Sequence, residues 1–551
     1  MTRISGGEAV VQAMVREGVK KAFCVPGESY LGVLNALYEH SSIQLITGRH
    51  EGGVSFMADA YAKASGEVGV CMATRGPGAS NLSIGLHAAM QDSTPLVALI
   101  GQVERPFKGR EAFQEVDFAA YFSHLCKWTA EVDRVERIPE ILHRAFHIAR
   151  SGRPGPVVVS LPHDMLEDSA SFLEQHKPYE AAPLIPHGES LDDAIMEISK
   201  SKKPILIVGG GIIQSKATQP LIQFAEALRL PVVTSYRRMD AFPNDHPCYA
   251  GGLGFGTPSY LLDYIRNADL VVALGTRFSQ VTTQDYSLLA ENARLIHIDI
   301  SSDELGKVYT PTLPIVADAK QFLLKALEKL PEIKDSEREG GLKELHASYL
   351  GFSTAKADYS TDYVDLDGMM HDLVQVLPKG TVITSDSGNF FGWVSRYYRF
   401  NQEKTYIGST SGAMGYGLPA AIGAKLAHPH KTVISISGDG GYTMTMQELE
   451  TAVRENIPVV TIVANNNMYG TIRMHQEKQF PDRVIATCLS NPDFAKMAML
   501  VGAHGEQVVK NEDFIPALER ALSAGRPAVI EVRTNPEILS AGHKKANSLK
   551  L

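Results

Sequence analysis

The stretch from Ser437 to Gly470 constrains the fold of this chain more than any other segment. An apolar, β-branched run at 432–436 leads into it and is typical of a buried parallel strand. The glycines around Asp439 predict a tight turn, and a helix is expected from about Met446 to Glu455. A second apolar run follows Pro458 and ends at three consecutive asparagines. The pattern therefore predicts a strand–helix–strand unit of a parallel α/β sheet.

Two polar turns follow the two predicted strands, at Gly438–Gly441 and at 465–467. Because the carboxyl ends of parallel strands lie on one edge of a sheet, Asp439 and Asn466 are expected side by side. A carboxylate, an amide oxygen and a backbone carbonyl form a hard oxygen site that suits Mg²⁺ holding phosphate oxygens. If both turns only connected strands, their paired spacing would be unexplained. The stretch therefore indicates a site for a metal-bound diphosphate.

The whole-chain totals set the broad class of protein. A length of 551 residues predicts about three domains, and 44% hydrophobic with 21% charged residues is ordinary for a soluble globular chain. The net charge of −9 argues against nucleic acid or an anionic membrane as a general partner. No run approaches the roughly 20 apolar residues of a membrane span, and the N-terminus lacks a secretory signal. Five scattered cysteines fit reduced thiols, so a cytoplasmic location is expected.

An alternation of helical and strand-like segments recurs along the chain. It predicts an α/β fold with three doubly wound parallel-sheet domains. The segments 167–189 and 351–363 lack clear periodicity and are expected to be linkers. A polar tail is expected to be mobile. The three domains and the tail are placed at residues 1–166, 190–335, 364–535 and 536–551.

The Gly438-Asp439-Gly440 turn, a connecting helix and then Asn465-Asn466 resemble the cofactor signature of thiamine diphosphate enzymes. The similarity extends along the whole chain and is strongest to the acetolactate synthase and pyruvate oxidase group, whose three domains are a pyrimidine, a central and a diphosphate domain. The resemblance implies thiamine diphosphate and Mg²⁺, with the metal held by Asp439, Asn466 and the backbone carbonyl of Met468. It also implies cofactor contacts from Pro26, Asn389, Phe390, Gly412, Met414, Gly438, Gly440, Gly441, Tyr469 and Gly470.

The sequence Arg49-His50-Glu51 follows a predicted strand and opens a predicted helix. It resembles a family turn whose glutamate exchanges a proton with the aminopyrimidine of the cofactor and so activates it. The resemblance therefore assigns Glu51 as catalytic, although a helix dipole alone also favours an acid at this position. In the family, the glutamate domain of one subunit meets the diphosphate domain of another. This implies a homo-oligomer: a dimer with shared active sites, which pairs into a tetramer in many relatives.

The loop Ser411–Gly417 resembles the family loop in which a bulky apolar side chain holds the cofactor bent. That role falls to Met414, although a methionine between glycines could equally fill a core. The segment Ser387–Phe390 follows another predicted strand, and its backbone N–H groups are expected to bind an anion. Both loops are therefore expected beside the metal-bound diphosphate.

Substrate residues are expected mainly in the first domain. Gln102 and the sequence Ala112–Glu115 resemble acetolactate synthase segments that border the thiazolium. Gln102 is thus expected to orient the substrate or a water, and Phe113 to wall the pocket. Lys127 matches a family lysine near the substrate channel, and simple surface charge is the alternative for Lys127 and Glu115.

Several positions depart from acetolactate synthases. His475 stands near a tryptophan that shapes the second-substrate pocket of that enzyme, and Glu28 and Tyr30 stand where relatives have small residues. These three residues either define a different, more polar substrate or are ordinary surface and packing residues. The stretch 275–282 also lacks an arginine that the family associates with herbicide and flavin contacts.

The central domain carries features of a nucleotide site. Gly209-Gly210-Gly211 follows a predicted strand, and Asp299 ends another; the first would let a pyrophosphate approach and the second could bond ribose hydroxyls. These segments resemble flavin-binding parts of acetolactate synthase, but central domains of the family often lack a nucleotide, so FAD stays open. A dinucleotide-dependent dehydrogenase is a rival reading, which lacks a spaced GxGxxG motif and leaves the pairing of Asp439 with Asn466 unexplained.

The resemblance implies decarboxylation of a 2-keto acid and carboligation of the enamine to a second carbonyl, as in acetolactate synthase. The alternatives are a simple 2-keto acid decarboxylase and a flavin-linked oxidase. From a different class, the chain could be a catalytically silent thiamine-fold protein that serves as a regulatory partner. Such a protein would be expected to lack Glu51 or Asp439, and both are present.

Overall fold

Three six-stranded parallel sheets form the framework of the protein. The computed structural model describes residues 3–172, 182–290, 292–331, 336–357, 359 and 362–542. Each sheet is built from one contiguous part of the chain, with helices between its strands, and this confirms the predicted fold class. No helix among the described residues is long and apolar enough to cross a bilayer.

The first domain contains a sheet of strand order β3-β2-β4-β5-β7-β6, and β1 pairs antiparallel with β8 beside it. Strands β4, β5 and β7 are fully buried because helices cover both faces of the sheet. Its elements are β1 (Arg3–Ser5), α1 (Gly6–Arg16), β2 (Lys21–Cys24), α2 (Leu31–Glu39), β3 (Gln44–Thr47), α3 (Glu51–Ser65), β4 (Gly69–Ala73), α4 (Gly76–Asp92), β5 (Leu96–Gln102), α5 (Phe118–Phe122), β6 (Trp128–Glu131), α6 (Ile138–Arg150), β7 (Pro156–Pro162), α7 (His163–Glu167) and β8 (Ser169–Ser171).

The central domain has a different strand order, β11-β10-β9-β12-β13-β14. It is the 3-2-1-4-5-6 order of doubly wound nucleotide-binding sheets. Its elements are α8 (Gly188–Lys200), β9 (Pro204–Val208), α9 (Gly210–Gln214), α10 (Thr218–Leu228), β10 (Val232–Thr234), β11 (Tyr249–Gly252), α11 (Ser259–Arg266), β12 (Leu270–Leu274), β13 (Leu295–Asp299), β14 (Leu313–Val316), α12 (Ala319–Leu327) and α13 (Ser336–Phe352).

The third domain repeats the topology of the first. Its order, β16-β15-β17-β18-β20-β19, and that of the first domain both become 2-1-3-4-6-5 when the parallel strands are numbered within each domain. Its elements are α14 (Leu366–Val376), β15 (Val382–Ser385), α15 (Phe391–Tyr397), β16 (Tyr406–Gly408), α16 (Gly417–Ala427), β17 (Val433–Gly438), α17 (Asp439–Thr445), α18 (Glu448–Arg454), β18 (Val460–Asn465), α19 (Gly470–Gln479), α20 (Phe494–Leu500), β19 (His504–Val508), α21 (Phe514–Ser523) and β20 (Ala528–Arg533).

One expectation from the sequence needs correction. The glycines after β17 do not form a tight turn, because α17 begins at Asp439 itself. The helix predicted from about Met446 to Glu455 is present as α18. In the predicted tail, Ile538 and Leu539 line a pocket of the third domain, and Arg396 donates a hydrogen bond to the carbonyl of Ala541 at 3.0 Å. The mobility of the tail stays a prediction. The predicted linkers and the tail include 173–181, 358, 360–361 and 543–551, which lie outside the described residues.

A buried ionic junction connects the three domains. Asp92, at the end of α4, accepts hydrogen bonds from Lys63 at 2.6 Å, from Arg238 of the central domain at 2.8 Å, and from the Thr410 hydroxyl of the third domain at 2.6 Å. Its side chain has no exposed surface. Burial alone would raise the pKa of Asp92, but Lys63 and Arg238 outweigh it and hold the pKa below its ordinary value.

We expect Asp92→Asn to lower the free energy of unfolding by about 3 to 5 kcal/mol, because it removes the anion that Lys63 and Arg238 share and breaks the ion pair of Arg238, while Lys63 keeps Asp59. Since the pKa of Asp92 is depressed in the folded state, its contribution is present above the unfolded pKa of about 4 and is lost as the pH falls below it. Urea unfolding at pH 7 and at about pH 2.5 measures both effects. Asp192→Asn is the control, since Asp192 pairs with Lys329 on the surface. This substitution should lower the free energy of unfolding by less than about 1 kcal/mol. An unfolding midpoint equal to that of the control would contradict this role.

Candidate active site

A pocket of about 250 Å³ lies at the carboxyl ends of β15, β17 and β18. The pairing of Gly438 with Ala464 brings the ends of β17 and β18 to the same level, as parallel strands require. The pocket brings together most of the predicted cofactor residues, namely Asn389, Phe390, Gly412, Met414, Gly438, Asp439, Gly440, Gly441, Asn466, Met468, Tyr469 and Gly470.

The predicted metal ligands meet at one side of this pocket. Asp439 is the first residue of α17, and Asn466 lies one residue beyond β18. The amide oxygen of Asn466 accepts the N–H of Met468 at 3.2 Å, which folds the loop back toward Asp439. Burial raises the pKa of Asp439 above its ordinary value, against the opposing hydrogen bonds from Asn491 and backbone amides. A bound divalent cation would reverse that shift, since it stabilises the carboxylate.

Asn491 is a part of the site that sequence reasoning missed. Its side-chain N–H₂ group donates to Asp439 Oδ2 at 2.6 Å, to Asn465 Oδ1 at 3.0 Å and to Asn467 Oδ1 at 3.2 Å. One amide thus orients the carboxylate and clamps the asparagine turn. The only signal in the sequence is an Asn-Pro dipeptide, which marks a turn and nothing more.

We expect Asn491→Leu to weaken Mg²⁺-dependent cofactor binding by about 10- to 100-fold, as is typical when a partner of a metal ligand is removed. Calorimetric titration of the purified protein with thiamine diphosphate, at fixed Mg²⁺, measures the change. Asn267→Leu is a matched control, because Asn267 is an exposed residue at the end of α11. Affinity unchanged from the control would show that Asp439 does not need this support.

A second buried carboxylate, Asp386, holds the Met414 loop. Its two oxygens accept the N–H of Gly415 at 2.9 and 3.1 Å, and Oδ1 also accepts the N–H of Ser387 at 2.8 Å. Burial raises the pKa of Asp386 to about 7, even though these amides oppose the shift. Arg237 of the central domain donates to the Asp386 carbonyl at 3.1 Å and stacks its guanidinium 4.2 Å from the ring centre of Phe391. The loop that carries Met414 is therefore fixed from two domains.

Glu51 is buried at the start of α3, and its carboxylate accepts a hydrogen bond from Asn81 at 2.9 Å. The turn before it is held by the third domain, because the carboxylate of Glu448 accepts the N–H groups of Arg49 and His50 at 3.1 and 3.0 Å. Glu448 is fully buried and was not predicted. Glu51 itself is not among the residues that line the 250 Å³ pocket within this chain.

The other predicted site residues also lie away from that pocket in a single chain. Pro26 and His475 are exposed, and the side chain of Phe113 is 72% exposed. Gln102 is buried and bonds the carbonyl of Val116 at 2.9 Å, beside a separate cavity under the 112–115 loop. Their assignment to the active site stays a prediction.

Two further candidates are used structurally. Tyr30 is a core residue whose hydroxyl donates to the carbonyl of Val25 at 2.5 Å. Lys127 donates to the carbonyls of Ile148 and Ser151 at 2.6 and 2.7 Å, and its backbone N–H bonds the carbonyl of Pro156 at the start of β7. Lys127 therefore lies at the amino edge of the sheet, opposite Glu51. Its expected place near the substrate stays a prediction.

A larger cavity, of about 680 Å³, lies between the three domains. Gly210, Gly211 and Asp299 line it, as do five cations: Arg150, Arg153, Arg238, Arg277 and Lys307. Burial and the neighbouring Arg153 lower the pKa of Arg277 to about 10. Asp92, Glu304 and Asp318 also line the cavity and balance much of this charge, since Arg238 pairs with Asp92 and Arg153 with Glu304. The backbone N–H groups of the glycine turn are the feature that suits an anionic ligand.

Comparison with known proteins connects the three sheets to one family. The sequence matches the thiamine pyrophosphate enzyme N-terminal binding domain at 4–121, the central domain at 191–327 and the C-terminal binding domain at 386–532. It is 34% identical over 549 residues to a probable acetolactate synthase large subunit of Methanocaldococcus jannaschii, covering 97% of this chain and 92% of that protein. The chain belongs to the thiamine pyrophosphate enzyme family.

Two further relatives extend the comparison. The acetolactate synthase isozyme 2 large subunit of Escherichia coli is 33% identical, covering 96% of this chain and 95% of its own length. The acetolactate synthase large subunit of Haemophilus influenzae is 35% identical, covering 95% and 93%. This thiamine pyrophosphate enzyme therefore matches such subunits over nearly its whole length, and the family's cofactor is the compound also called thiamine diphosphate.

The pocket of this thiamine pyrophosphate enzyme fits the cofactor of its family. The side-chain nitrogen of Asn389 is buried at the pocket and has no hydrogen-bond partner among the described residues, while its oxygen accepts Thr471 Oγ1 at 2.8 Å. Such a donor suits a phosphate oxygen. The ten-residue helix α19 also begins at the pocket and directs its N-terminal N–H groups there. No three His, Cys, Asp or Glu side chains of the described chain cluster as a metal site. The Asp439 carboxylate, the Asn466 amide oxygen and the Met468 carbonyl are hard oxygen donors of the kind that suits Mg²⁺.

Proposed function

We propose that the chain decarboxylates a 2-keto acid and joins the remaining fragment to a second carbonyl compound, in the manner of acetolactate synthases. The observation that carries the proposal is the convergence of Asp439, Asn466 and the Met468 carbonyl in one pocket with the orphaned donor of Asn389. The names of the relatives support the reaction type, because they match almost the full length of the chain. Bound thiamine diphosphate supplies the nucleophilic carbon and the electron sink for the decarboxylation.

The residues of the third domain have distinct tasks toward that cofactor. Asp439, Asn466 and the Met468 carbonyl would hold Mg²⁺ against the diphosphate, and Asn389 would donate to a phosphate oxygen. Met414 and Gly412, fixed through Asp386, would support the middle of the cofactor. These contacts would hold the cofactor in position before the reaction begins, so the protein groups would not need to reorganise during the reaction.

Glu51 would exchange the activating proton with the pyrimidine ring. Its buried carboxylate is oriented by Asn81, and the Glu448 carboxylate fixes the turn that presents it. No residue from 1–166 is among those that line the 250 Å³ pocket within one chain. We therefore infer that Glu51 of the partner subunit completes each pocket in a two-fold dimer. Pairing of two dimers into a tetramer is compatible with this arrangement and is a separate question.

A panel of 2-keto acids tests the reaction. Protein loaded with thiamine diphosphate and Mg²⁺ is given each acid, and CO₂ release and products are followed by mass spectrometry. We expect CO₂ together with a coupled 2-hydroxy-2-alkyl-3-keto acid. An aldehyde as sole product would indicate a simple decarboxylase, and an oxidised acyl product would indicate a flavin-linked oxidase. No CO₂ from any acid would favour the catalytically silent alternative.

We also propose that the 680 Å³ cavity binds a nucleotide diphosphate, of which FAD is one candidate. The turn at Gly210 and Gly211 and the five cations that line the cavity support this assignment, and Asp299 would bond a ribose. The measurement is a titration with ADP against adenosine, combined with an absorption spectrum of the purified protein. Flavin absorption would identify FAD, and ADP binding without colour would identify a non-flavin nucleotide. Equal, negligible binding of ADP and adenosine by a colourless protein would contradict the proposal.

A further inference from the structure

The turn that contains Arg75 in the first domain corresponds to the turn that contains Asp439, the predicted metal ligand of the third domain. Because the two terminal domains share one strand order, the turn after β4 corresponds to the turn after β17. Asp439 opens α17, and Arg75 caps α4. Both turns lie at the topological switch point of their sheet, where ligands of such folds bind.

The Arg75 turn is packed against Glu51. A Cβ added to Gly78 would lie 3.0 Å from Glu51 Oε1 and 3.1 Å from the methyl carbon of Thr74, so Glu51 and Thr74 meet across this glycine. On the other side, Gly76 donates its N–H to the carbonyl of Gln114 at 3.0 Å. Arg75 therefore lies between the activating glutamate and the 112–115 loop.

The guanidinium of Arg75 is buried but only partly paired. The residue is 6% exposed, and its Nε has no hydrogen-bond partner among the described residues. Its ion pair is with Glu28, through Nη1 at 3.2 Å, and the Glu28 side chain is 61% exposed. That distance is long for a charge-assisted hydrogen bond. Gln114 Oε1, on the loop that bonds Gly76, is also buried and lacks a partner in the described chain. A buried, partly unsatisfied cation indicates that the turn is built to bind an anionic group.

We propose that Arg75 binds the carboxylate of the acceptor 2-keto acid and so selects that class of second substrate; this rests on the proposed carboligation. Glu28 accepts a hydrogen bond from Nη1 of Arg75. The substrate carboxylate would bind the other edge of the guanidinium, through Nε and Nη2. The donor carboxylate is a poor candidate, because it leaves as CO₂ and an ion pair would stabilise it more before the reaction than in the transition state. The acceptor carboxylate keeps its charge from binding to product.

The test compares two acceptors that differ only in the carboxylate: 2-ketobutyrate, and propanal. Holoenzyme with thiamine diphosphate and Mg²⁺ receives pyruvate labelled at its carboxylate as donor; labelled CO₂ is counted in the first turnover, and coupled product is measured by mass spectrometry. We expect Arg75→Gln to lower kcat/KM for 2-ketobutyrate by about 10- to 100-fold while propanal coupling and first-turnover CO₂ release stay unchanged. Arg75→Lys should fall between, because it keeps the charge and loses the planar fork. Arg134→Gln, on the surface of the same domain, is the control.

Three results would overturn the assignment: equal losses with both acceptors, no loss with either, or a slower release of CO₂ in the first turnover. If wild-type protein releases no CO₂, the proposed function fails, and the Arg75 assignment is then judged by binding. Saturation-transfer NMR of 2-ketobutyrate with the cofactor-free full chain should show weaker contact in Arg75→Gln than in Arg134→Gln. Equal contact in the two variants would refute it.

Discussion

Glu51→Gln is expected to lower the turnover number by about 100- to 10,000-fold, the range that proton transfer by a positioned side chain contributes. Glutamine keeps the shape of the side chain and can still accept the hydrogen bond from Asn81, but it cannot exchange a proton. The fold should be unaffected, since Glu448 holds the turn through the backbone of Arg49 and His50. The effect should therefore be confined to kcat.

The measurement is CO₂ release from the preferred 2-keto acid, with circular dichroism and calorimetric cofactor affinity as checks on structure. Glu8→Gln is a matched control, because Glu8 lies in the first turn of α1 as Glu51 does in α3. Normal turnover in Glu51→Gln would refute the assigned role. A loss of turnover caused by unfolding would say nothing about proton transfer by the carboxylate. An unchanged circular dichroism spectrum excludes that cause.

Asp439→Ala is expected to abolish Mg²⁺-dependent cofactor binding, with an affinity loss of at least about 100-fold. The estimate is larger than for Asn491→Leu because the substitution removes a ligand rather than the partner of a ligand. It also removes the acceptor that Asn491 bonds at 2.6 Å, so the asparagine turn loses one of its contacts. Turnover should disappear at ordinary cofactor concentrations.

Calorimetry with and without a chelator measures this effect. Wild-type protein should bind thiamine diphosphate tightly only when Mg²⁺ is present, and Asp439→Ala should bind weakly in both conditions. Asp513→Ala is the control in the same domain, because Asp513 is exposed at the start of α21. A chelator-sensitive affinity in Asp439→Ala equal to wild type would place the metal elsewhere.

The local pattern of the sequence was enough to predict the three parallel sheets and the pocket of the third domain. Apolar runs followed by polar turns identify parallel strands and their carboxyl ends, and β17 and β18 show both. The glycines after β17 were misread, because their role is close packing inside a helix. A Cβ on Gly440 would lie 2.5 Å from Tyr469, and one on Gly441 would lie 2.3 Å from Asp386. These tertiary contacts determine the helical conformation of the glycines, and the local sequence pattern does not reveal such contacts.

The supporting residues could not be found from the sequence, for a related reason. Asn491, Asp386 and Glu448 act on chain segments that are distant along the sequence or that carry no motif. Their carboxylates and amides look like ordinary surface or turn residues until the fold buries them. The roles predicted for His475 and Phe113 toward the substrate stay predictions, because both residues lie outside the pocket of a single chain.

The central claim is that one subunit supplies Glu51 and the other supplies Asp439. The direct test uses two variants, Glu51→Gln and Asp439→Ala, each of which is inactive alone. They are mixed in equal amounts, dissociated and allowed to reassociate, and the activity is then measured. Random pairing makes half of the dimers mixed, and one of the two sites in each mixed dimer has both native residues. We predict recovery of about one quarter of wild-type activity. No recovery, with mixed dimers verified by native mass spectrometry, would show that both residues act within one chain.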